Sequence, residues 1–148
     1  MNSLKDKTVI VTGGGRGIGA TTCKLLAAEG ANVIITCRTE EQGISVEDNI
    51  LSKNGSAKFI SHDVTKEESW QHVVKETLKM FPRIDSVVNN AGSYNYQSIL
   101  DCPHESFKSL INTSLDGCFL GLKYGTEAIR KHGKGGSIVM MSSVLAKI

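Results

Sequence analysis

Residues 12–19 read T-G-G-G-R-G-I-G, and this stretch decides the fold. A short β-branched run at residues 8–11 precedes it, and a helical stretch from about residue 18 to residue 29 follows, closed by Gly30. The glycines therefore form a tight turn between a buried strand and the start of a helix. The N-terminus of a helix offers unpaired N–H groups to phosphate, so the sequence predicts a phosphate-binding unit here. A turn with a purely structural role is the alternative.

Strands and helices alternate along the rest of the chain. The predicted strands are short apolar runs at residues 8–11, 32–36, 58–61, 84–88 and 137–141. The predicted helices span about residues 18–29, 40–53, 66–81 and 107–129. Strands that are apolar throughout and alternate with helices imply a parallel sheet covered on both faces, and right-handed crossovers favour a doubly wound α/β fold. Another open α/β fold, such as a flavodoxin-like one, fits the same pattern.

Length and composition are those of one globular α/β domain spanning residues 1–148. Hydrophobic residues make up 40% of the chain and charged residues 22%, which is enough to build a sizeable core. The formal net charge of +2 is too small to indicate nucleic acid as a partner. The chain contains neither a signal peptide pattern nor an apolar run long enough for a bilayer, so we expect a cytoplasmic protein without a membrane partner.

The cysteines and histidines do not predict a metal site. The four cysteines form no C-x-x-C pair, and the four histidines are scattered along the chain. We therefore interpret the cysteines as buried or half-buried thiols in a reducing compartment.

Further segments carry a resemblance to a known family. The glycine turn matches T-G-x-x-x-G-x-G, residues 89–92 read N-N-A-G, Asp63 and Val64 follow the third predicted strand, and Ser142 and Ser143 follow the fifth. Together they resemble the classical short-chain dehydrogenase/reductase family over essentially the whole chain. The resemblance implies a Rossmann-type doubly wound sheet and an NAD(P)-dependent oxidoreductase. It assigns cofactor binding to Thr12, Gly13, Gly15, Arg16, Gly17, Ile18, Gly19, Arg38, Asp63, Val64, Asn90, Ala91 and Gly92.

The end of the second strand favours NADP over NAD as the cofactor. NAD-dependent family members often place an acid there, whereas this chain has Cys37 followed by Arg38. Arg38, with Arg16 from the glycine turn, is suited to bind a 2′-phosphate through charge-assisted contacts. Two solvated surface arginines are the alternative. Glu40 and Glu41 lie nearby, but we expect them to stabilise the N-terminus of the second helix.

The catalytic set implied by the resemblance is incomplete in this chain. The resemblance places the catalytic serine at Ser143, where it would hydrogen-bond the substrate oxygen. The family segment N-x-N-x-x-G is matched from Asn112, and Ser114 stands at its second, catalytic asparagine. Serine is shorter than the asparagine that the family has at this position. We therefore expect Ser114 to give less support to the helix irregularity and the water relay that the resemblance implies. Ser114 is therefore the weaker of the two catalytic assignments.

The family's Y-x-x-x-K pair, whose tyrosine transfers the proton, does not occur in the 148 residues. None of the three tyrosines, Tyr94, Tyr96 and Tyr124, has a lysine four residues on. Because an apolar fifth strand would be an exposed edge, we expect the domain to be truncated after that strand, with the pair beyond Ile148.

Two functional hypotheses follow. The first is an oxidoreductase that transfers a hydride between a nicotinamide and a small carbonyl or secondary-alcohol substrate, in a homodimer or homotetramer when full length. The second is a catalytically incomplete nucleotide-binding module or subunit. An S-adenosylmethionine methyltransferase shares the strand–glycine-loop–helix unit, but the threonine-led glycine spacing, N-N-A-G and the serine strand argue against it.

Overall fold

The computed structural model describes residues 3–94 and 96–143. Its strands are β1 (Thr8–Thr12), β2 (Asn32–Cys37), β3 (Ser56–Ser61), β4 (Ser86–Asn89) and β5 (Ser137–Met140). Its helices are α1 (Gly17–Ala28), α2 (Glu40–Leu51), α3 (Glu67–Met80), α4 (His104–Ile111) and α5 (Gly117–Arg130), and a π-helical segment (Asn112–Asp116) joins α4 to α5. In the part of the chain described, no helix combines the length and the apolar character needed to cross a membrane.

The strands form one five-stranded sheet in the order β3-β2-β1-β4-β5. Every neighbouring pair is parallel. The chain winds outward from β1 to β3, then returns to the other side of β1 and continues through β4 to β5. The predicted doubly wound parallel sheet is confirmed, and its topological switch point lies between β1 and β4, where open sheets of this kind bind ligands.

Both faces of the sheet are buried, which explains why the strands are apolar throughout. On one face α1 and α2 cover a core that includes Val11, Cys23, Val33, Ile35 and Phe59. On the other face α3 and α5 cover a core that includes Ile10, Ile34, Trp70, Ile84 and Val87. Successive residues of a strand point to opposite faces, so a strand covered on both sides needs apolar residues at every position.

The long helix expected at about residues 107–129 is interrupted. It begins at His104 and contains the π-helical segment, which includes Ser114. The irregularity therefore forms with serine at this position. A side chain at Gly117 would come within 2.7 Å of Val64, and one at Gly121 would collide with Asn89. The π-helical segment changes which residues of α5 lie in line with those of α4. Gly117 and Gly121 of α5 pack directly against Val64 and Asn89 because they have no side chains.

Asp85 joins β1 and β4 at the end of the sheet opposite the switch point. Its carboxylate accepts the backbone N–H of Thr8 at 3.0 Å and hydrogen bonds from Lys7 at 3.2 Å and Arg83 at 3.1 Å. Burial acts to raise the pKa of Asp85, but these hydrogen bonds and the Arg83 charge outweigh it, and the pKa lies below its ordinary value. The ionised carboxylate is therefore part of the folded structure.

We expect Asp85→Asn to lower the free energy of unfolding by roughly 1–3 kcal/mol near neutral pH, because a partly buried charged acceptor is lost. The folded pKa is depressed, so this contribution is present above the unfolded pKa of about 3.9 and is lost as the pH falls through the folded value. Urea unfolding at neutral and at acidic pH measures the difference. Asp48→Asn, on the exposed side of α2, is the control. Equal stability of Asp85→Asn and wild type at neutral pH would contradict this role.

Candidate functional site

A cavity of about 480 Å³ opens at the carboxyl ends of the central strands, beside the switch point. This volume lies in the range of small-molecule sites, about 300–1,000 Å³. The lining comprises Gly13, Gly15, Arg16, Gly17, Ile18, Gly19, Cys37, Arg38, Thr39, Gln42, His62, Asp63, Val64, Asn90, Ala91, Gly92 and Thr113. The structure thus brings the glycine turn, Arg38, the Asp63–Val64 pair and the N-N-A-G segment to one cavity.

The glycine turn folds tightly because side chains are absent at its two ends. Gly13 has a φ of +64°, in the left-handed region that favours glycine. A Cβ at Gly19 would collide with the carbonyl oxygen of Gly13 and the side-chain amide of Asn90. A Cβ at Gly17 would meet no atom within 4 Å, so the backbone there borders open space. The turn therefore packs against itself on one side and exposes its backbone to the cavity on the other.

Thr12 and Asn90 tie the turn after β1 to the turn after β4. The Thr12 hydroxyl donates to the carbonyl of Val88 at 3.3 Å and accepts the backbone N–H groups of Asn90 and Ala91, each at 3.0 Å. The Asn90 amide donates to the carbonyl of Thr12 at 2.9 Å. Thr12 is buried beneath the cavity and does not line it, unlike the other residues to which the resemblance assigns cofactor binding. Its side chain holds the two loops together.

The N-terminus of α1 is suited to an anion. Arg16 precedes the helix in extended backbone, no side chain caps the helix, and its first turn contains no acid. By contrast, Glu40 and Glu41 lie in the first turn of α2, and they do not line the cavity. The positive end of the α1 dipole and the first N–H groups of that helix therefore face the cavity without a competing carboxylate.

The charged side chains of the lining are Arg16, Arg38 and Asp63. Cys37, which precedes Arg38, donates its thiol to the carbonyl of Thr39 at 3.2 Å. Burial raises the pKa of the Cys37 thiol against the opposing effect of nearby backbone N–H groups, so the thiol is uncharged near neutral pH. The end of β2 therefore presents a cation and no anion to the cavity.

Asp63 is held as a carboxylate in the cavity lining. One of its oxygens, Oδ1, accepts the Thr65 backbone N–H at 3.0 Å and the Thr65 hydroxyl at 2.8 Å. Partial burial acts to raise the pKa of Asp63, but these hydrogen bonds and the charge of Arg38 outweigh it and lower the pKa. Among the described residues, both hydrogen bonds to this carboxylate go to Oδ1, which leaves Oδ2 to a ligand.

His62 lines the cavity but was not among the residues singled out from the sequence. Its side chain is only 3% exposed, and its Nδ1 lies 2.8 Å from the hydroxyl of Ser69. Burial lowers the pKa of His62 from 6.5 to about 4, although the neighbouring Asp63 acts in the opposite direction. The ring is therefore neutral at physiological pH. The sequence offered one indication of this position, a histidine placed between an apolar strand and Asp63. The other lining residues that were not predicted, Thr39, Gln42 and Thr113, had no such indication in the sequence.

Comparison with known proteins identifies the family. The family model described as short chain dehydrogenase matches residues 7–148. The chain belongs to the short-chain dehydrogenase family. The crystal structure of a short-chain type dehydrogenase/reductase from Mycobacterium marinum superposes with a TM-score of 0.95 at 30% sequence identity, over 99% of this chain and 60% of that one.

Two curated relatives have names that state an activity. Cyclopentanol dehydrogenase of Comamonas sp. (strain NCIMB 9872) is 38% identical over 144 residues, which cover 97% of this chain and 57% of that protein. The NADP-dependent (R)-specific alcohol dehydrogenase of Lentilactobacillus kefiri is 36% identical over 141 residues, which cover 95% of this chain and 56% of that protein. The chain thus spans somewhat more than half of the length of these short-chain dehydrogenases.

The two serines implicated in catalysis by the family resemblance lie outside the cavity lining. Ser143 is exposed and follows β5, and Ser114 is half-buried in the π-helical segment. Thr113, the neighbour of Ser114, does line the cavity. In the described part of this short-chain dehydrogenase, no group of three or more His, Cys, Asp or Glu residues could hold a metal ion.

We expect Gly19→Ala to destabilise the fold and to weaken ligand binding in the cavity, because the new methyl group would displace the Gly13 carbonyl or the Asn90 amide. Overpacking of this kind costs roughly 1–3 kcal/mol. Gly92→Ala is the stability control, since a Cβ there would come no closer than 4.0 Å to the carbonyl oxygen of Asn90. Urea unfolding of both variants measures the effect. Equal loss in the two variants would contradict the steric account.

We expect the buried His62 ring to make the stability of the protein depend on pH between 6.5 and about 4. The unfolded chain binds more protons than the folded protein in this window, so stability is complete above it and decreases by roughly 2–3 kcal/mol as the pH falls through it. Unfolding of wild type and His62→Leu across this window measures the effect, with His104→Leu, an exposed histidine that does not act on the pKa of His62, as control. An unchanged pH dependence in His62→Leu would contradict the assignment.

Proposed function

We propose that this chain carries the nucleotide-binding part of an oxidoreductase that transfers a hydride between NADP and a carbonyl or secondary-alcohol substrate. The observation that carries the proposal is the cavity at the switch point, where the uncapped N-terminus of α1 lies beside Arg16 and Arg38. The names of the two curated relatives support the reaction class. Cyclic or secondary alcohols are therefore the substrates to test first.

We assign the parts of a dinucleotide to different residues of the cavity lining. Gly17 and the first N–H groups of α1 would bind the pyrophosphate, because no side chain stands between that backbone and the cavity. Asp63 would accept a hydrogen bond from the adenine ring through its available oxygen, with Val64 beside it. When bound, the nicotinamide supplies the hydride donor or acceptor.

Arg38 and Arg16 favour NADP over NAD. Both line the cavity, the end of β2 contains no carboxylate, and the thiol of Cys37 is uncharged. A 2′-phosphate would therefore meet two cations, although Asp63 lies close enough for the charge of Arg38 to lower its pKa. Asp63, the acid in the lining, would bind the adenine ring instead.

Ser143 would hold the substrate oxygen by a hydrogen bond and so orient the reacting carbon toward the nicotinamide. A proton must also move to or from that oxygen, and in this family a tyrosine assisted by a lysine does so. Tyr124 does not match this role, because its hydroxyl is bound to Glu67 at 2.6 Å on the α3 side of the sheet. Ser143 is thus assigned substrate positioning and not proton transfer.

A nucleotide-binding module without turnover is the second candidate. Both candidates share the nucleotide site, and they differ only in whether the protein oxidises or reduces a substrate.

Arg38→Ala is expected to raise the dissociation constant for NADP roughly 10- to 100-fold, because one or two charge-assisted hydrogen bonds to the 2′-phosphate are lost. The constant for NAD should change little, since NAD lacks that phosphate. Calorimetric titration of both cofactors measures this, with Arg130→Ala, an exposed arginine of α5, as control. An equal effect on NADP and NAD would contradict the 2′-phosphate assignment, and no binding of either cofactor by wild type would refute the nucleotide site.

Ser143→Ala in the natural full-length protein is expected to lower turnover by orders of magnitude while the dissociation constant for NADP stays unchanged. Formation of reduced cofactor from cyclopentanol and other secondary alcohols measures turnover. Near-normal turnover of Ser143→Ala would refute the role of the serine. Binding of NADP by the wild type without turnover of any alcohol or ketone would support the non-catalytic module.

A further inference from the structure

Side chains at the start of α3 hydrogen-bond the backbone of Asp63 and Val64. The Ser69 hydroxyl accepts the backbone N–H of Asp63 at 3.1 Å. The Trp70 indole N–H donates to the carbonyl of Val64 at 3.0 Å. Two consecutive side chains of α3 thus fix two consecutive backbone groups at the edge of the cavity. We call Asp63 and Val64 the rim pair.

His62 contacts both of the side chains that hold the rim pair. Its Nδ1 lies 2.8 Å from the Ser69 hydroxyl. Its ring packs edge-on against Trp70, with a centroid separation of 4.6 Å and an interplanar angle of 82°. Because His62 is almost entirely buried, water does not compete for these contacts. His62 therefore limits the movement of both supports of the rim pair.

The hydrogen bonding of His62 is incomplete. Ser69 Oγ accepts the N–H of Asp63 and shares a second hydrogen bond with Nδ1 of His62, whose direction depends on the tautomer of the ring. In either tautomer, Nε2 is buried without a hydrogen-bond partner among the residues that the structure describes. A buried polar atom without a partner destabilises the folded state. An apolar side chain of similar size would avoid this cost, so fold stability alone does not account for a histidine here.

We propose that His62 is a positioning residue for nucleotide binding, which acts through Ser69 and Trp70 to fix the rim pair that borders the adenine end of the cavity. The inference rests on the proposed function and deepens it, because it assigns a role to a side chain that need not touch the ligand. It predicts that affinity and stability respond differently to substitution. Loss of the His62 ring should lower nucleotide affinity, because the rim pair becomes less fixed. It should not lower the stability of the fold, because the buried Nε2 without a partner is removed as well.

The variants that isolate this role are His62→Leu, His62→Asn and Ser69→Ala. His62→Leu keeps apolar bulk against Trp70 and removes the hydrogen bond between the ring and Ser69. His62→Asn retains a polar atom close to the position of Nδ1. Ser69→Ala removes the link between His62 and the backbone of Asp63. His72→Leu, in the exposed part of α3, is the matched control.

Calorimetric titration with ADP and with nicotinamide mononucleotide, alongside urea unfolding, provides the test. His62→Leu and Ser69→Ala should each raise the dissociation constant for ADP about three- to tenfold, the effect of one neutral hydrogen bond. The double variant should lose little more than either single variant, because both act through one link. His62→Asn should restore most of the affinity for ADP. The dissociation constant for nicotinamide mononucleotide should stay unchanged in all of these variants. The urea midpoint of unfolding of His62→Leu at neutral pH should not decrease.

Several outcomes would overturn the inference. If wild type binds ADP and both His62→Leu and Ser69→Ala bind it equally well, His62 has no positioning role. If affinity falls only together with the unfolding midpoint, and His62→Asn does not restore it, the histidine serves the fold alone. Should His62→Leu not fold, Ser69→Ala and His62→Asn decide the question. Failure of wild type to bind ADP or NADP would instead refute the proposed function, and this inference with it.

Discussion

The hydrogen bonds between Thr12 and Asn90 join the two loops that separate at the switch point of the sheet. β1 continues toward α1 on one face, and the chain after β4 leaves in the other direction, so a cleft opens between them. At the base of the cleft, the Thr12 hydroxyl accepts the backbone N–H groups of Asn90 and Ala91. The side-chain amide of Asn90 donates a hydrogen bond to the carbonyl of Thr12. Gly19 can approach because it has no side chain. These hydrogen bonds hold together the glycine turn and the N-N-A-G segment, both of which line the cavity.

The electrostatic character of the cavity follows from the same arrangement. Closure of the two loops directs the N-terminus of α1 at the cavity, and the extended backbone at Arg16 leaves that helix end uncapped. β2 ends beside it and is followed by Arg38, while β3 is followed by Asp63, whose carboxylate is held by Thr65 and whose pKa is lowered in part by the charge of Arg38. The lining therefore combines two arginines and a helix N-terminus with one carboxylate. A ligand that carries phosphates at one point and amino groups at another complements this distribution.

The sequence predicted the sheet because buried parallel strands require apolar residues on both faces, and that requirement is visible in short β-branched runs such as the one before the glycine turn. The cavity was predictable because glycine spacing reports backbone geometry directly. The family resemblance implied a helix irregularity at Ser114, but the hydrophobic spacing predicted one continuous helix, because that spacing does not report a change of helix type. The burial of Thr12 could not be predicted from the sequence, because it depends on Asn90, which is distant along the chain. The contacts of His62 could not be predicted either, because they are made with side chains of α3.

The central claim is that a dinucleotide binds along the glycine turn and the rim pair at the switch point. Amide NMR spectra of the isotopically labelled protein, recorded during titration with NADP, test it most directly. The account predicts that the amide signals of Gly15, Gly17, Ile18 and Val64 shift most, and that those near Asp85, at the opposite end of the sheet, stay in place. Shifts confined to other surfaces, or none at saturating NADP, would contradict the account.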